Sequence, residues 1–589
     1  MKITGKRLRP LVGALALAGA VSVVLAGCTT SGNTTDTSSA STGGNITIAA
    51  VNEATSFNTN TPQGNLDTNG MINYLTQPQF YTLSDTYQVI PNTDLGTYKK
   101  ISSNPLKVEY TLNTSDKWSD GTPMTADDLL LGWASTSLYH DSSTVDASGK
   151  VTKGTQYFST AAGKLFSTNL PTVSNNNHTI TFTYDTPYVD WNLVDPIQFP
   201  AHVVASEIGV TTKDLTKAIL DTPKGDPSNP APANQTLLKA AKFINTGYDA
   251  TSLPTDKKLL VSGGPLQVSA WTPKQSMTFV KNPEYKGTHE VHFSKLIMRF
   301  IGDANAQVTA LQNNEVDAIQ PQASADTVKA LKAASGTTIE QGSEVAYDHL
   351  DLNFGSSVFK DENTRKAFLL TVPRDQILQS IVTPINPKAK VLDSQIFLPG
   401  QTGYDEAVKA NDSSTYDKVD IAQAKKLLNG ATPTVKILYN TENPNRVNTF
   451  QAIQASAAKA GFKVVDGGSA QWSTLLSTGN YDASIFGWIN PGAGNAAIPQ
   501  LFQANNPSNY NKFNFADATK LANETQTTLT AGALQTEKIQ LDKMAFDRAY
   551  GLPLFQLPGL FANNSSVKGI KYFGGQTGLV WNVWDWTKK

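Results

Sequence analysis

Cys28 is the only cysteine in 589 residues, so the chain can form no disulfide within itself and no paired-thiolate metal site. Of the six histidines, two fall in His289-Glu290-x-His292. That spacing is one residue short of the His-Glu-x-x-His pattern that sets two imidazoles on one face of a helix. In a strand, residues three apart point to opposite faces. His140, His178, His202 and His349 are scattered along the chain. The apolar run "YDASIFGW" is followed by Gly492-x-Gly494-x-x-Ala497, which resembles a dinucleotide fingerprint, but the gap after Trp488 is too loose for the turn that cradles a pyrophosphate. No Gly-x-Ser-x-Gly elbow and no paired-carboxylate motif is found. These patterns supply no catalytic residue, no metal ligand and no cofactor site. Surface or core roles are expected for the histidines and a loop for the glycines.

The chemistry of Cys28 follows from what precedes it. Lys2, Lys6, Arg7 and Arg9 stand without an acid among the first nine residues, and residues 11–26 are apolar except for Gly13, Gly19 and Ser22. A basic start, a short apolar core and small residues at its end make a secretory signal. The run is shorter than the ~20 residues that span a membrane. Leu25-Ala26-Gly27-Cys28 resembles a lipobox, where bacterial lipoproteins are diacylated on cysteine and cleaved before it. Residues 1–27 are therefore expected to be a signal peptide. Each buried lipid methylene contributes roughly 0.8 kcal/mol, so two acyl chains hold a soluble domain at a membrane. Residues 28–44, rich in Ser, Thr and Gly, read as a flexible tether.

The bulk of the chain reads as globular, 39% hydrophobic and 16% charged. Its formal net charge is −1, and without the four basic residues of the signal 44 basic residues face 49 acidic ones, a net −5. A mildly acidic chain without a basic tract gives no sign of nucleic-acid binding. "LKVEYTL" at residues 106–112 and "TITFTY" at 179–184 alternate as half-buried strands do. Thr125 with Asp128 three residues on forms a capping box, and Leu129, Leu130 and Trp133 continue at helical spacing. "DIAQAKKLLNGATPTVKILYN" and "FQAIQASAAKAGFKVV" each read as helix, glycine stop, strand, the stops being Gly430 and Gly461. Such alternation favours α/β units, while the earlier, strand-rich part looks antiparallel. Two different halves are expected.

Several segments resemble, in order, the extracytoplasmic solute-binding proteins of peptide-type ABC transporters, family 5, the oligopeptide/dipeptide-binding group. They are "WSDGTPMTADDLLLGW" (118–133), "GGPLQVSAWTPKQSMTFVKNPEYKG" (263–287), "ALQNNEVDAI" (310–319), "LDLNF" with "DENTRKAFLLTVPRDQI" (350–377), "YDASIFGW" (481–488) and "YGLPLFQLP" (550–558). The resemblance implies an α/β, two-lobed periplasmic-binding-protein-like fold (type II, cluster C) with an extra subdomain. Lobe I would hold residues 45–300, with the subdomain at about 71–188. Lobe II would hold 301–549, and 550–589 would return to lobe I, with crossings near 300–303 and 550–554. The motif at 118–133 is expected to be structural, Asp120-Gly121 making a turn.

The resemblance further implies a receptor that traps an oligopeptide between strands of both lobes and delivers it to ABC permease transmembrane subunits. It would be a monomer on the extracytoplasmic face of the bacterial membrane, held by lipid on Cys28, without catalysis, cofactor or metal. The lobe II strand would be residues 485–490, with Phe486, Trp488 and Asn490 near ligand and Gly487 allowing close backbone approach. The lobe I partner would lie in "NLDTN", giving Asn65, Asp67 and Asn69. Asn440, Glu442 and Trp472 complete the expected site. Family members often carry an Asp three residues beyond the Trp, which pairs with the ligand's α-ammonium; here that position is Pro491. A desolvated ammonium needs a partner, and Asp67, Glu53 and Glu442 are the acids at hand, the alternative being binding that ignores the amino terminus. The same role for an oligosaccharide or other solute stands as the alternative ligand, with Trp271, Trp472, Trp488 and Tyr510 able to stack on sugar rings. A lipid-anchored hydrolase is a distant second.

Overall fold

The computed structural model describes residues 43–588 apart from 62–63, 146–150, 160–164, 491–492, 505 and 507. Cys28, the tether and Pro491 lie outside the described residues. Among those described, no helix is long and apolar enough to cross a membrane.

A ten-stranded mixed sheet runs through the molecule. In spatial order its strands are Leu266–Thr272, Ser276–Lys281, Lys295–Phe300, Ile46–Ala50, Ala318–Ile319, Gly551–Asn564, Thr337–Leu352, Ala483–Ile489, Thr434–Tyr439 and Lys463–Asp466. Two of these are long. Thr337–Leu352 has 16 residues and Gly551–Asn564 has 14. At roughly 3.3 Å per residue, each spans about 45–50 Å. They pair antiparallel from Thr337↔Asn564 to Asp351↔Gly551 and join the two ends of the sheet.

Each end has its own core. At the first, Ile46, Ile48, Met277, Phe279 and Trp586 are buried together. At the second, Val435, Ile437, Ile453, Ala483 and Ile485 are. The helix-to-strand segments form as the glycines predict. The helix Ile421–Leu428 ends at Asn429 and Gly430, both with positive φ, before Thr434–Tyr439. The helix Pro444–Ala458 is followed by Gly461 at φ +109° and the strand Lys463–Asp466.

Residues 300–303, expected as a crossing between halves, are the turn from Lys295–Phe300 into the helix Ala304–Gln312. Ala318–Ile319 beyond it pairs beside Ile46–Ala50, so the chain stays in the first half until the long strand at Thr337. Residues 550–554 begin the second long strand, whose far end pairs with Ala318–Ile319.

The extra body is a separate four-stranded antiparallel sheet, ordered Gly96–Ser103, Leu106–Leu112, Thr179–Thr183, Thr172–Ser174. Its core reaches from Phe80 to Tyr248, beyond the expected boundary near residue 188, because the helices Ala201–Glu207, Thr212–Asp221 and Gln235–Thr246 bury their apolar faces in it. The 118–133 motif is inside. Asp128 accepts from Thr125 N (2.8 Å), Trp118 Nε1 (3.3 Å) and Ala201 N (2.7 Å), and both Trp118 and Trp133 are fully buried. One carboxylate thus caps its helix and ties two segments to it.

Candidate functional site

A cavity of about 610 Å³ opens where the three bodies meet. The helix Asp67–Thr76 and its approach supply Asn65, Asp67 and Asn73; the extra body supplies Tyr188, Asp190 and Asp195. Asn490, Gly494 and Ala496 come from the second half, and Phe573, Gln576 and Trp581 from the carboxy-terminal segment. A second cavity of about 220 Å³ shares Asp67, Val345 and Phe573 with it and lies between Ala49–Asn52 and residues Glu344, Ala346 and Ile489. Together they are in the range that buries a small ligand.

The two long strands explain why a space exists there. Their register breaks between Ser343 and Tyr347, which face Pro558 and Gln556. Three residues, Glu344, Val345 and Ala346, therefore stand opposite one, Leu557. Such a bulge bends the strand and re-aims its side chains. Here it puts Glu344 into the smaller cavity. Next to it, Gly342 and Gly559 face each other, and the ring of Tyr572 lies across both: a Cβ on Gly342 would come within 2.2 Å of the ring.

Glu344 is half-buried, and burial, with the negative charge of Asp67 adding to it, pushes its carboxyl up to about 7. Neither Glu344 nor Asp67 has a hydrogen-bond or ion-pair partner for its carboxylate among the described residues. Asp195 accepts from Phe80 N at 3.2 Å. Asp190 reaches across to the second half. It accepts from Asn495 N (2.8 Å) and Nδ2 (2.9 Å) and from Ala496 N (2.9 Å), while Val189 N donates to Gln526 O (2.9 Å). Lys538 Nζ donates to Asn495 Oδ1 at 2.9 Å from below, and burial lowers this amine to about 8. Two amides of the glycine-rich segment, those of Asn495 and Ala496, are thus engaged by an aspartate of the chain itself.

Of the residues expected from sequence, Asn65, Asp67 and Asn490 line the large cavity. The segment 65–69, expected to present a strand, is instead the start of the helix Asp67–Thr76. Asn69 is buried behind it, accepting from Thr55 N (2.9 Å) and donating to Gly64 O (3.0 Å). The strand Ala483–Ile489 is where it was expected, pairing with Ala346–Leu352. Gly487 sits directly against protein side chains. A Cβ there would lie 3.0 Å from both Arg446 Nη2 and Asp348 Oδ1, which form a buried bidentate ion pair. Trp472 packs under that guanidinium at 5.1 Å, and Phe486 is buried. Trp488 stacks on Tyr510 (6.0 Å, 16°) beside a separate cavity of only about 40 Å³. Asn440 and Glu442 line neither large cavity; Asn440 Oδ1 accepts from Glu442 N at 2.9 Å in their turn. Of the sugar-stacking candidates, Trp271 is in the core. Glu53 accepts from Lys274 N at 2.6 Å.

Sequence reasoning missed Asp190, Asp195, Glu344 and the carboxy-terminal wall. Only the bulge and the packing of the extra body bring them to one place. His289 of the near-motif is bonded through Nδ1 to Asp94 (2.6 Å), and no group of three or more His, Cys, Asp or Glu side chains gathers as a metal site would among the described residues.

A two-ended sheet joined by paired long strands, with a cavity at the join closed by contacts from both sides, defines a two-lobed solute receptor. The chain belongs to the bacterial extracellular solute-binding proteins, family 5, whose middle region matches residues 91–510. It is a receptor of ABC importers that works outside the cytoplasm, not an enzyme. The oligopeptide-binding protein OppA of Mycobacterium tuberculosis is similar to it, 22% identical over 570 residues, covering 94% of this chain and 86% of OppA. The structure of a periplasmic EDTA-binding protein, EppA, matches with a TM-score of 0.76 at 21% identity, covering 93% of this chain and 97% of EppA. The oligopeptide-binding protein AppA from Bacillus subtilis, in complex with a nonapeptide, matches with a TM-score of 0.63 at 17% identity, covering 93% and 99%.

Proposed function

We propose that this receptor captures short peptides in the cavity between its lobes and presents them to a membrane permease, while lipid on Cys28 holds it at the outer face of the membrane. In this reading the lobes part at the bulge, residues 344–346, and at Leu557 facing it, rather than at residues 300–303 and 550–554.

The observation that carries the peptide reading is the meeting of two strand ends at the cavity. The strand Ile46–Ala50 runs out into the smaller cavity from one side, and Ile489 ends the strand Ala483–Ile489 on the other. Beyond the Tyr439↔Ile485 pair, residues 486–489 have a strand partner on one edge only among the described residues. An extended chain laid there can take backbone hydrogen bonds while its side chains enter the larger, hydrated space. The lipobox-like 25–28 segment and the tether support the anchor, since a receptor must turn to dock on its permease.

Titration of the purified full chain with a mixed-sequence pentapeptide pool, read by calorimetry, tests this. Saturable binding in the micromolar range or tighter is expected. Heat no greater than dilution at millimolar peptide contradicts the reading.

A further inference from the structure

Aromatic rings wall part of the 610 Å³ cavity. Tyr74, Tyr81, Tyr87, Tyr188 and Trp581 line it half-buried, and the buried Phe573 stacks on Trp581 at 4.7 Å and 12°. Three of their polar tips are tied back to the main chain. Trp581 Nε1 donates to Leu83 O (2.8 Å), Tyr74 Oη to Trp581 O (2.8 Å) and Tyr81 Oη to Leu193 O (3.2 Å). An indole has one donor, so what the Trp581 side chain offers the cavity is carbon. The bond to Leu83 also joins the strand Tyr81–Leu83 to the carboxy-terminal segment, 498 residues away in sequence. Tyr87, in the turn after that strand, packs its ring against Phe573 (5.3 Å, 42°) from a backbone φ of +63°. That is the left-handed region, which glycine and asparagine adopt at less cost than tyrosine. A ring held at such a backbone position points to a site rather than to an ordinary turn.

We propose that this wall selects peptides by a flat ring: an aromatic side chain of the ligand packs against Trp581 and Tyr87, and these two residues set the preference. This rests on the peptide reading of the cavity and deepens it by naming the side-chain class. Aromatic rings gain from offset or edge-to-face contact with one another, beyond the apolar area they bury. A leucine side chain buries apolar area without that contact. Trp581 is held by its face, its ring nitrogen and its carbonyl, through Phe573, Leu83 and Tyr74. The wall is therefore built before a ligand arrives, and little rotamer freedom is lost on binding. No Lys, Arg or His lines the cavity among the described residues, so an acidic side chain meets no charge partner there.

The test uses the purified full chain and one pentapeptide scaffold, Ala-Ala-Xaa-Ala-Ala, with Phe, Leu or Ala at the centre, read by calorimetry. The phenylalanine peptide is expected to bind about ten-fold or more tighter than the alanine peptide, and about three-fold or more tighter than the leucine peptide. In Trp581→Leu and in Tyr87→Leu the preference for phenylalanine over leucine is expected to fall toward one. Trp581→Phe, which keeps a ring, is expected to retain most of it. The alanine peptide makes no ring contact, so each variant should bind it within about two-fold of the unaltered chain, which separates a lost contact from a damaged fold. Leucine bound as tightly as phenylalanine by the unaltered chain overturns the proposal, whatever the variants do, and leaves the peptide reading standing. A preference unchanged in both leucine variants overturns it as well. If no peptide binds, the peptide reading falls and this proposal falls with it.

Discussion

Glu344 on a cavity wall and Gly487 under a buried ion pair each act without a recognisable motif. A carboxyl raised from its ordinary 4.5 to about 7 stabilises the folded chain in its protonated form. That contribution is complete below about pH 4.5 and is lost as pH rises through 7. The ligand-free protein is therefore predicted to lose stability from about pH 5 to 8, and E344Q to be the more stable chain at about pH 8, by ~1–3 kcal/mol. Urea unfolding of both at about pH 5.5 and 8 checks this; equal stability at the higher pH contradicts it. Gly487 lies under the Arg446–Asp348 pair. Gly487→Ala must push one partner aside and is predicted to cost ~1–3 kcal/mol of stability. The same variant should leave peptide affinity unchanged within about two-fold, since the added methyl points out of the sheet toward the ion pair and leaves the open backbone edge of 486–489 as it is. A purely functional loss, with stability intact, would restore the glycine to the ligand site.

Among the elements, the helices and strands of the second half were legible because their local signals agree. Periodicity, caps and the glycines at 430 and 461 all point the same way, and the structure follows them residue by residue. The capping box at Thr125 and Asp128 was legible for the same reason. The strand expected at 65–69 was not, because its polar residues fit a helix start as well as an edge strand; packing of Ile72 and Leu75 into the first-half core decides for the helix. The bulge at 344–346 carries no local signal at all, since it is a mismatch between strands more than 200 residues apart in sequence. The latch at Asp190 is equally non-local. Its carboxylate joins the extra body to residues 495–496, and removing it should free the lobes to open. Asp190→Ala is predicted to speed ligand dissociation about ten-fold or more with little change in association. Stopped-flow displacement of a labelled peptide measures both rates, and an unchanged dissociation rate would mean the contact does not hold the lobes together.

For the whole molecule, the two-lobed class was legible from the order of segments along nearly the entire chain. The boundary proposed at the bulge differs from the expected 300–303 and 550–554 because it follows from strand pairing, which leaves no local pattern in the sequence. In the proposed reading the bulge marks the join, and hinge closure about it is the motion such receptors need. Saturating ligand is predicted to leave the scattering profile more compact than that of the ligand-free protein, and D190A to make the ligand-free profile more expanded than that of the unaltered chain. A profile that ligand does not change would count against closure.

The most direct test of the central claim is to release the protein gently from its native membrane, record its mass with cargo bound, then denature it and sequence what dissociates. A ladder of short peptides of mixed sequence is expected. A single non-peptide solute, or a protein that emerges empty and binds no peptide afterwards, would contradict it.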